Sequence, residues 1–192
     1  TMNQLPGIAN TDETVSNISV RGGTHDQNLF LWNGIRLYQT SHFFGLISAL
    51  NPNLANTIKI SKNGSSPFYG ESVSSVIDIT NHSNSIDKTN SSVGLNLINV
   101  DFYTNFKISK KSSFELSFRK SITDLVSTPT YSSYSEKVFQ NTAVSNLNTS
   151  ENIAFSSQKK ISFYDATEQF HQKINDNKKL HIDFITITNN IN

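Results

Sequence analysis

From Val93 onward, apolar and polar side chains alternate one by one, and this two-residue period constrains the fold more than any other feature of the chain. Val93, Leu95 and Leu97 fall on one face, with Gly94 and Asn96 on the other. Val100, Phe102, Thr104, Phe106 and Ile108 then oppose Asp101, Tyr103, Asn105 and Lys107. After the turn Lys110-Lys111-Ser112, the residues Phe114, Leu116, Phe118 and Ile122 oppose Glu115, Ser117, Arg119 and Ser121. The pattern returns at Tyr164, Ala166, Phe170 and Ile174, set against Asp165, Thr167, Gln169, His171 and Lys173. Beyond the tight turn Asp176-Asn177-Lys178 it repeats, with Leu180, Ile182 and Phe184 against His181, Asp183 and Ile185. Successive side chains of a strand point to opposite faces, so the pattern specifies antiparallel strands with one apolar and one polar face. A soluble sandwich alternates in this way. So does a wall set between lipid and water, which needs about 9–11 residues per strand. Residues 123–160 are rich in Ser, Thr and Asn, lack periodicity, and read as one long loop, against about 2–5 residues for ordinary hairpins. Short turns on one side and a long loop on the other give the asymmetry of an outer-membrane barrel.

The first half is written differently. All eight glycines lie at or before Gly94, and the one proline after it is Pro129, so the tight corners belong to the first half. Leu5-Pro6-Gly7-Ile8 reads as a turn entering a strand. Strands are expected over 18–21, 29–32, 57–62 and 73–80; Gly22-Gly23 stops the first, and Asn33-Gly34 marks a turn or bulge because both residues tolerate positive φ. Residues 38–42 read as a polar, aromatic loop, and 43–50 as a short helix ended by Asn51-Pro52. The boundary falls in the polar segment 81–92, dividing the chain into 1–82 and 83–192.

Composition removes several classes. Net charge is +1, from 16 basic and 15 acidic side chains, so nothing marks a nucleic-acid binder or a polybasic membrane anchor. Thirteen Phe and six Tyr beside one Trp and one Met favour β structure. The lack of cysteine rules out disulfides and thiolate metal sites. No run approaches the roughly 18 apolar residues of a membrane-spanning helix, which excludes helical membrane proteins and leaves barrels open. Neither a basic nor an apolar leader precedes Gln4-Leu5-Pro6-Gly7, so the chain is expected to be a piece of a longer protein. It contains no nucleophile elbow, HExxH or Walker-type loop; Gly64-Ser65-Ser66-Pro67 lacks the Lys-Ser/Thr that a phosphate loop needs. Five histidines show no ligand-like spacing. No enzyme activity, catalytic residue, cofactor or metal site is expected.

Six pieces of the first half occur in a specific order: Asn17-Ile18-Ser19-Val20-Arg21-Gly22-Gly23, then Leu29-Phe30-Leu31-Trp32-Asn33-Gly34-Ile35-Arg36-Leu37-Tyr38, His42-Phe43-Phe44-Gly45, Thr57-Ile58-Lys59-Ile60-Ser61-Lys62-Asn63-Gly64, Pro67-Phe68-Tyr69-Gly70 and Val76-Ile77-Asp78-Ile79-Thr80. Together they resemble the plug domain of TonB-dependent outer-membrane receptors. The second half resembles the first five barrel strands of that family. Phe118-Arg119-Lys120-Ser121-Ile122-Thr123-Asp124-Leu125 looks like the arginine-containing third strand, and Phe163-Tyr164-Asp165 like the opening of the fourth. The resemblance implies a mainly β chain, with an α+β plug over 1–82 and about five antiparallel strands of an incomplete transmembrane β-barrel over 83–192. It further implies a location in the outer membrane of a Gram-negative bacterium and import of a scarce nutrient (siderophore, cobalamin, glycan or peptide) by energised movement of the plug. The implied partners are the TonB complex, through an N-terminal segment this chain lacks, together with the nutrient, outer-membrane lipid and a surface lipoprotein. A signalling or surface-binding receptor of the same fold is the alternative, and a secreted β-rich adhesin a more distant one. On this reading residues 1–192 alone form no pores in lipid bilayers.

Site residues follow from the same resemblance. Thr11, Asp12, Tyr38, Gln39, His42 and Phe43, in outward plug loops, are the expected ligand contacts. Arg21 resembles the family arginine that ties plug to wall through carboxylates, with Glu115 as its suggested partner. Arg119 faces the lumen by parity. Lys120 breaks the apolar face of its strand and belongs near the membrane rim, where it snorkels. Where the family carries Asp before the glycine of the central plug strand this chain has Asn33, which keeps the turn and removes a charge.

Overall fold

The computed structural model describes residues 5–10, 17–54, 56–62, 66–70, 72–81, 89–123, 125–139 and 160–191. The N-terminal part contains β1 (Ile8–Ala9), β2 (Ser19–Val20), β3 (Asn28–Trp32), β4 (Ile35–Arg36), β5 (Ser41–His42), β6 (Ile47–Ser48), β7 (Asn56–Ser61) and β8 (Ser75–Asn81). Four of these lie side by side in the order β4-β3-β8-β7, with the central pair β3 and β8 parallel. Central parallel strands are covered on both faces, and this accounts for the unbroken apolar run Leu29-Phe30-Leu31-Trp32. Phe30, Trp32, Ile77 and Ile79 pack on one side with Ile8, Ile18, Val20, Leu37 and Leu50; Leu29, Leu31 and Val76 pack on the other with Tyr69. β3 turns into β4 through Asn33 and Gly34, at φ of 49° and 83°, the mirror-image turn that a two-residue hairpin demands.

The helix expected over 43–50 is replaced by a single 3-10 turn, Phe43–Gly45, followed directly by β6. Phe43 and Phe44 have φ of 51° and 57°. That left-handed conformation cannot continue into a right-handed helix.

The second half forms one antiparallel sheet, strand after strand: β9 (Asn90–Leu95), β10 (Asn99–Ser109), β11 (Ser112–Ser121), β12 (Ile161–Asn175) and β13 (Lys178–Ile191). The expected alternation is met, and its polarity is inside out for a protein in water. Val93, Leu95, Ile108, Phe118, Ile174, Ile182 and Phe184 are 41–75 % exposed on the outer face. Ser113, Glu115, Ser117, Arg119, Ser121, Asp165, Thr167 and Gln169 are 1–4 % exposed on the inner face. That inner face lies against the N-terminal unit. The small side chains along it let the backbones approach; among the described residues, apolar contact is made by Ile185, which joins the first cluster, and by Ile161 and Phe163, which meet Phe43 with Leu46, Ile47 and Ile98 packed around them. A soluble sandwich would show the opposite, with its apolar faces turned toward each other.

Within the stretch read as one long loop, Pro129–Phe139 is an α-helix, α1. Thr128 caps it: its Oγ1 accepts from the Tyr131 backbone N–H at 3.1 Å and donates to the Leu97 carbonyl at 2.7 Å. Proline at the first helical position needs no N–H there. Tyr131, Tyr134, Val138 and Phe139 lay one side of α1 on Phe43, Ile161 and Phe163. The period of that face is diluted by the intervening Ser residues, which is why the segment lacks an obvious pattern.

Candidate functional site

The contact between the N-terminal unit and the five-stranded wall holds the highest concentration of buried polar groups. At its centre, Arg119 on β11 and Asp165 on β12 are cross-strand partners on the inner face. Arg119 Nε donates to both carboxylate oxygens of Asp165, at 3.1 and 3.0 Å, and Nη2 lies 2.7 Å from Oδ2. The same Nη2 donates across the contact to the Ser48 carbonyl at 2.5 Å. His42 comes from the other side. Its Nε2 lies 3.0 Å from Asp165 Oδ2, its Nδ1 lies 2.7 Å from Asn189 Oδ1, and its ring sits 4.2 Å from that of Phe163. Two segments thus share one buried carboxylate, with the positive guanidinium supplied by the wall.

Three further wall carboxylates are met in a common way. Asn53 Nδ2 donates to Asp101 Oδ1 at 2.7 Å, Asn33 Nδ2 donates to Asp183 Oδ1 at 3.1 Å, and Asn81 Nδ2 donates to Glu115 Oε1. The Asn33 amide is fixed from behind, because its Oδ1 accepts from the Asn81 backbone N–H at 2.8 Å. Glu115 also takes a 3.4 Å bond from Asn105. Asp101 lies over Gly94 so closely that a Cβ there would stand 2.1 Å from its Oδ2; glycine at 94 makes room for the tie to Asn53. A neutral amide on a carboxylate contributes about 1.5–3 kcal/mol and, unlike a lysine or arginine, leaves no bare cation when it is pulled away. The arrangement seats one unit firmly on the other through several separable contacts. It assembles no nucleophile–base pair among the described residues.

The residues singled out from sequence are distributed unevenly. Arg119 and Glu115 are buried on the inner face, as parity requires. Arg21 stands exposed in a turn at φ 52°, its N–H bonded to the Gly7 carbonyl, while Glu115 is engaged by Asn81 and Asn105 rather than by Arg21. Tyr38 is 87 % exposed under the Arg36 guanidinium, 4.8 Å from its ring centroid, and Gln39 is exposed beside it. His42 and Phe43, expected on the same outward loop, are instead fully enclosed at the wall; Phe44, passed over in the sequence, is 73 % exposed. The reason is the left-handed pair of residues 43 and 44, which turns one phenyl ring inward and the next outward. Lys120 is exposed one residue from the end of β11. Thr11 and Asp12 lie outside the described residues. Asp165, Asp183, Asn53, Asn81 and Asn189 were not picked out. Of these, Asp165 was accessible, since it shares a face with Arg119 once the two strands are set in register.

A cavity of about 920 Å³ separates the two parts near the short turns at 110–111 and 176–177, lined in part by Arg36, Tyr69, Asp78, His171, His181 and Asp183. No helix among the described residues is long and apolar enough to cross a membrane. Residues 1–76 match the family model described as TonB-dependent Receptor Plug Domain. No curated protein and no solved structure matches the chain.

Proposed function

We propose, from the match of residues 1–76 to the TonB-dependent receptor plug domain, that the chain takes part in importing a scarce nutrient across the outer membrane of a Gram-negative bacterium, by energised displacement of the plug from the wall. In this reading the junction lies at residues 82–83, and the five strands are the opening part of a transmembrane barrel whose lumen the plug fills. The observation that carries it is the reversed polarity of the sheet: exposed Val93, Leu95, Phe118, Ile182 and Phe184 outside, buried Glu115, Arg119, Asp165 and Gln169 inside. A lumen-facing polar side and a lipid-facing apolar side are what a membrane barrel requires. The amide–carboxylate ties suit a plug that must seat and then yield. Tyr38 and Gln39, with the exposed Phe44, form the ligand face, His42 and Phe43 connect that face to the wall, and Thr11 and Asp12, outside the described residues, stay proposed ligand contacts on the family resemblance alone. The nutrient class stays among siderophore, cobalamin, glycan and peptide. TonB supplies the pull, lipid surrounds the wall, and a surface lipoprotein is a further partner; the role is transport rather than catalysis.

The test uses the absence of cysteine. Ala49 is completely buried beside the Ser48 carbonyl held by Arg119, so Ala49→Cys places the one thiol of residues 1–192 beside that contact, in a receptor with any cysteine elsewhere replaced by serine. In cells, maleimide labelling of this thiol should be slow, should accelerate with ligand under a proton-motive force, and should slow again with a protonophore. A labelling rate indifferent to the proton-motive force would overturn energised movement.

A further inference from the structure

β12 and β13 form a hairpin in which His171 stands directly opposite His181 on the inner face. The rings meet edge to face with centroids 4.6 Å apart, and the two Nδ1 atoms are 2.6 Å from each other. Gln169 Oε1 lies 3.3 Å from His171 Nε2. A side-chain amide oxygen only accepts, so this contact places the ring proton of His171 on Nε2 and leaves the Nδ1 lone pair aimed at the partner ring. His181 is exposed and His171 half-buried, both opening onto the 920 Å³ cavity at the short-turn end of the wall. Asp183, one pleat along the same face from His181, lines that cavity with Asp78 and Asp176 among the basic side chains Arg36, Lys111, Lys173 and Lys179, and Lys173 is held by Asp176 at 2.6 Å.

We propose that His171 and His181 chelate one divalent transition-metal ion of the kind that prefers imidazole: Cu²⁺, Ni²⁺ or Zn²⁺. Metal–imidazole bonds of about 2.0–2.1 Å at a tetrahedral centre set the two nitrogens about 3.3 Å apart, so the pair has to open by only about 0.7 Å. Small ring rotations suffice, because both side chains line the cavity. No group of three or more His, Asp or Glu is gathered for a metal among the described residues. The site is therefore a two-nitrogen chelate, with water in the remaining positions. Gln169 acts behind the ligand, holding the tautomer that presents Nδ1. The strand pair fixes the spacing whether or not the plug moves, so the site does not depend on the import reading.

The experiment titrates the untagged protein, extracted from membranes in detergent, with Cu²⁺, Ni²⁺ and Zn²⁺, measuring affinity by calorimetry and the Cu²⁺ environment by electron paramagnetic resonance. One ion per chain and a two-nitrogen splitting are expected. His171→Gln and His181→Gln should each leave a one-nitrogen signal and weaken binding by about tenfold or more, Gln169→Leu should weaken it by about tenfold, and His25→Gln should change neither. Circular dichroism checks that each variant keeps its β content. Unaltered affinity in the His171→Gln/His181→Gln double variant would overturn the site. So would wild-type protein without a two-nitrogen signal, which would mean that the pair only shares a proton.

Discussion

Asn33 shows how one atom decides a contact. The amide donates to Asp183 from the wall while its oxygen receives the Asn81 N–H, so both ends are used. An aspartate at this position would keep the positive-φ turn but bring two carboxylates to about the same 3.1 Å separation. Asn33→Asp should therefore weaken the seating of the plug by about 1.5–3 kcal/mol, read as a lower urea midpoint for plug release in micelles. Asp183→Asn in the same chain should restore most of the loss. Asp165 is the more demanding case, since Arg119 is buried and has the Ser48 carbonyl as its other partner. Asp165→Ala should cost about 3–5 kcal/mol by stranding that guanidinium, and Arg119→Met/Asp165→Leu should recover most of it. If the double variant were as unstable as the single one, the cost would lie in packing or in the hydrogen bonds to His42 and to the Ser48 carbonyl, and not in the stranded charge.

Among the elements, α1 does what its Ser-rich sequence conceals. It is short and marginal by itself, and is held by the Thr128 cap and by Tyr131, Tyr134, Val138 and Phe139 resting on the cluster around Phe43 and Phe163. Thr128→Ala should remove about 1 kcal/mol and raise amide exchange selectively in residues 129–139. Unchanged exchange would show that packing alone holds the helix. The same cluster contains Phe43 and Phe163, so α1 packs next to the latch built from His42, Arg119 and Asp165. The left-handed turn at Phe43 and Phe44 is strained by about 1–3 kcal/mol per residue. It links the exposed Tyr38, Gln39 and Phe44 to this buried junction.

For the molecule as a whole, the question is what solvent touches each face of the wall. Phe118 is 41 % exposed between the buried Ser117 and Arg119. Phe118→Arg should cost about 2–4 kcal/mol if lipid covers that face, measured by unfolding in bilayers, and close to nothing if water does. The inner face answers differently, because there arginine is already accommodated by a carboxylate and a carbonyl.

The long strands, their parity and the Asn33-Gly34 turn were legible in the chain because they follow from local sterics: a two-residue period sends alternate side chains to opposite faces, and positive φ suits Asn and Gly. The two-residue strands β5 and β6, by contrast, stood in segments read as a loop and a helix. The plug signature was legible for a similar reason, since its motifs are turns and short strands in fixed order. The contacts were decided by tertiary structure. Asn33 meets Asp183 across 150 positions and His42 meets Asp165 across 123, and no local period encodes which amide finds which carboxylate. The inward turn of His42 and Phe43, the helix over 129–139 and the facing pair His171 and His181 belong to the same class. Each depends on a surface that exists only after the wall and the plug have come together, or after two strands have settled into register.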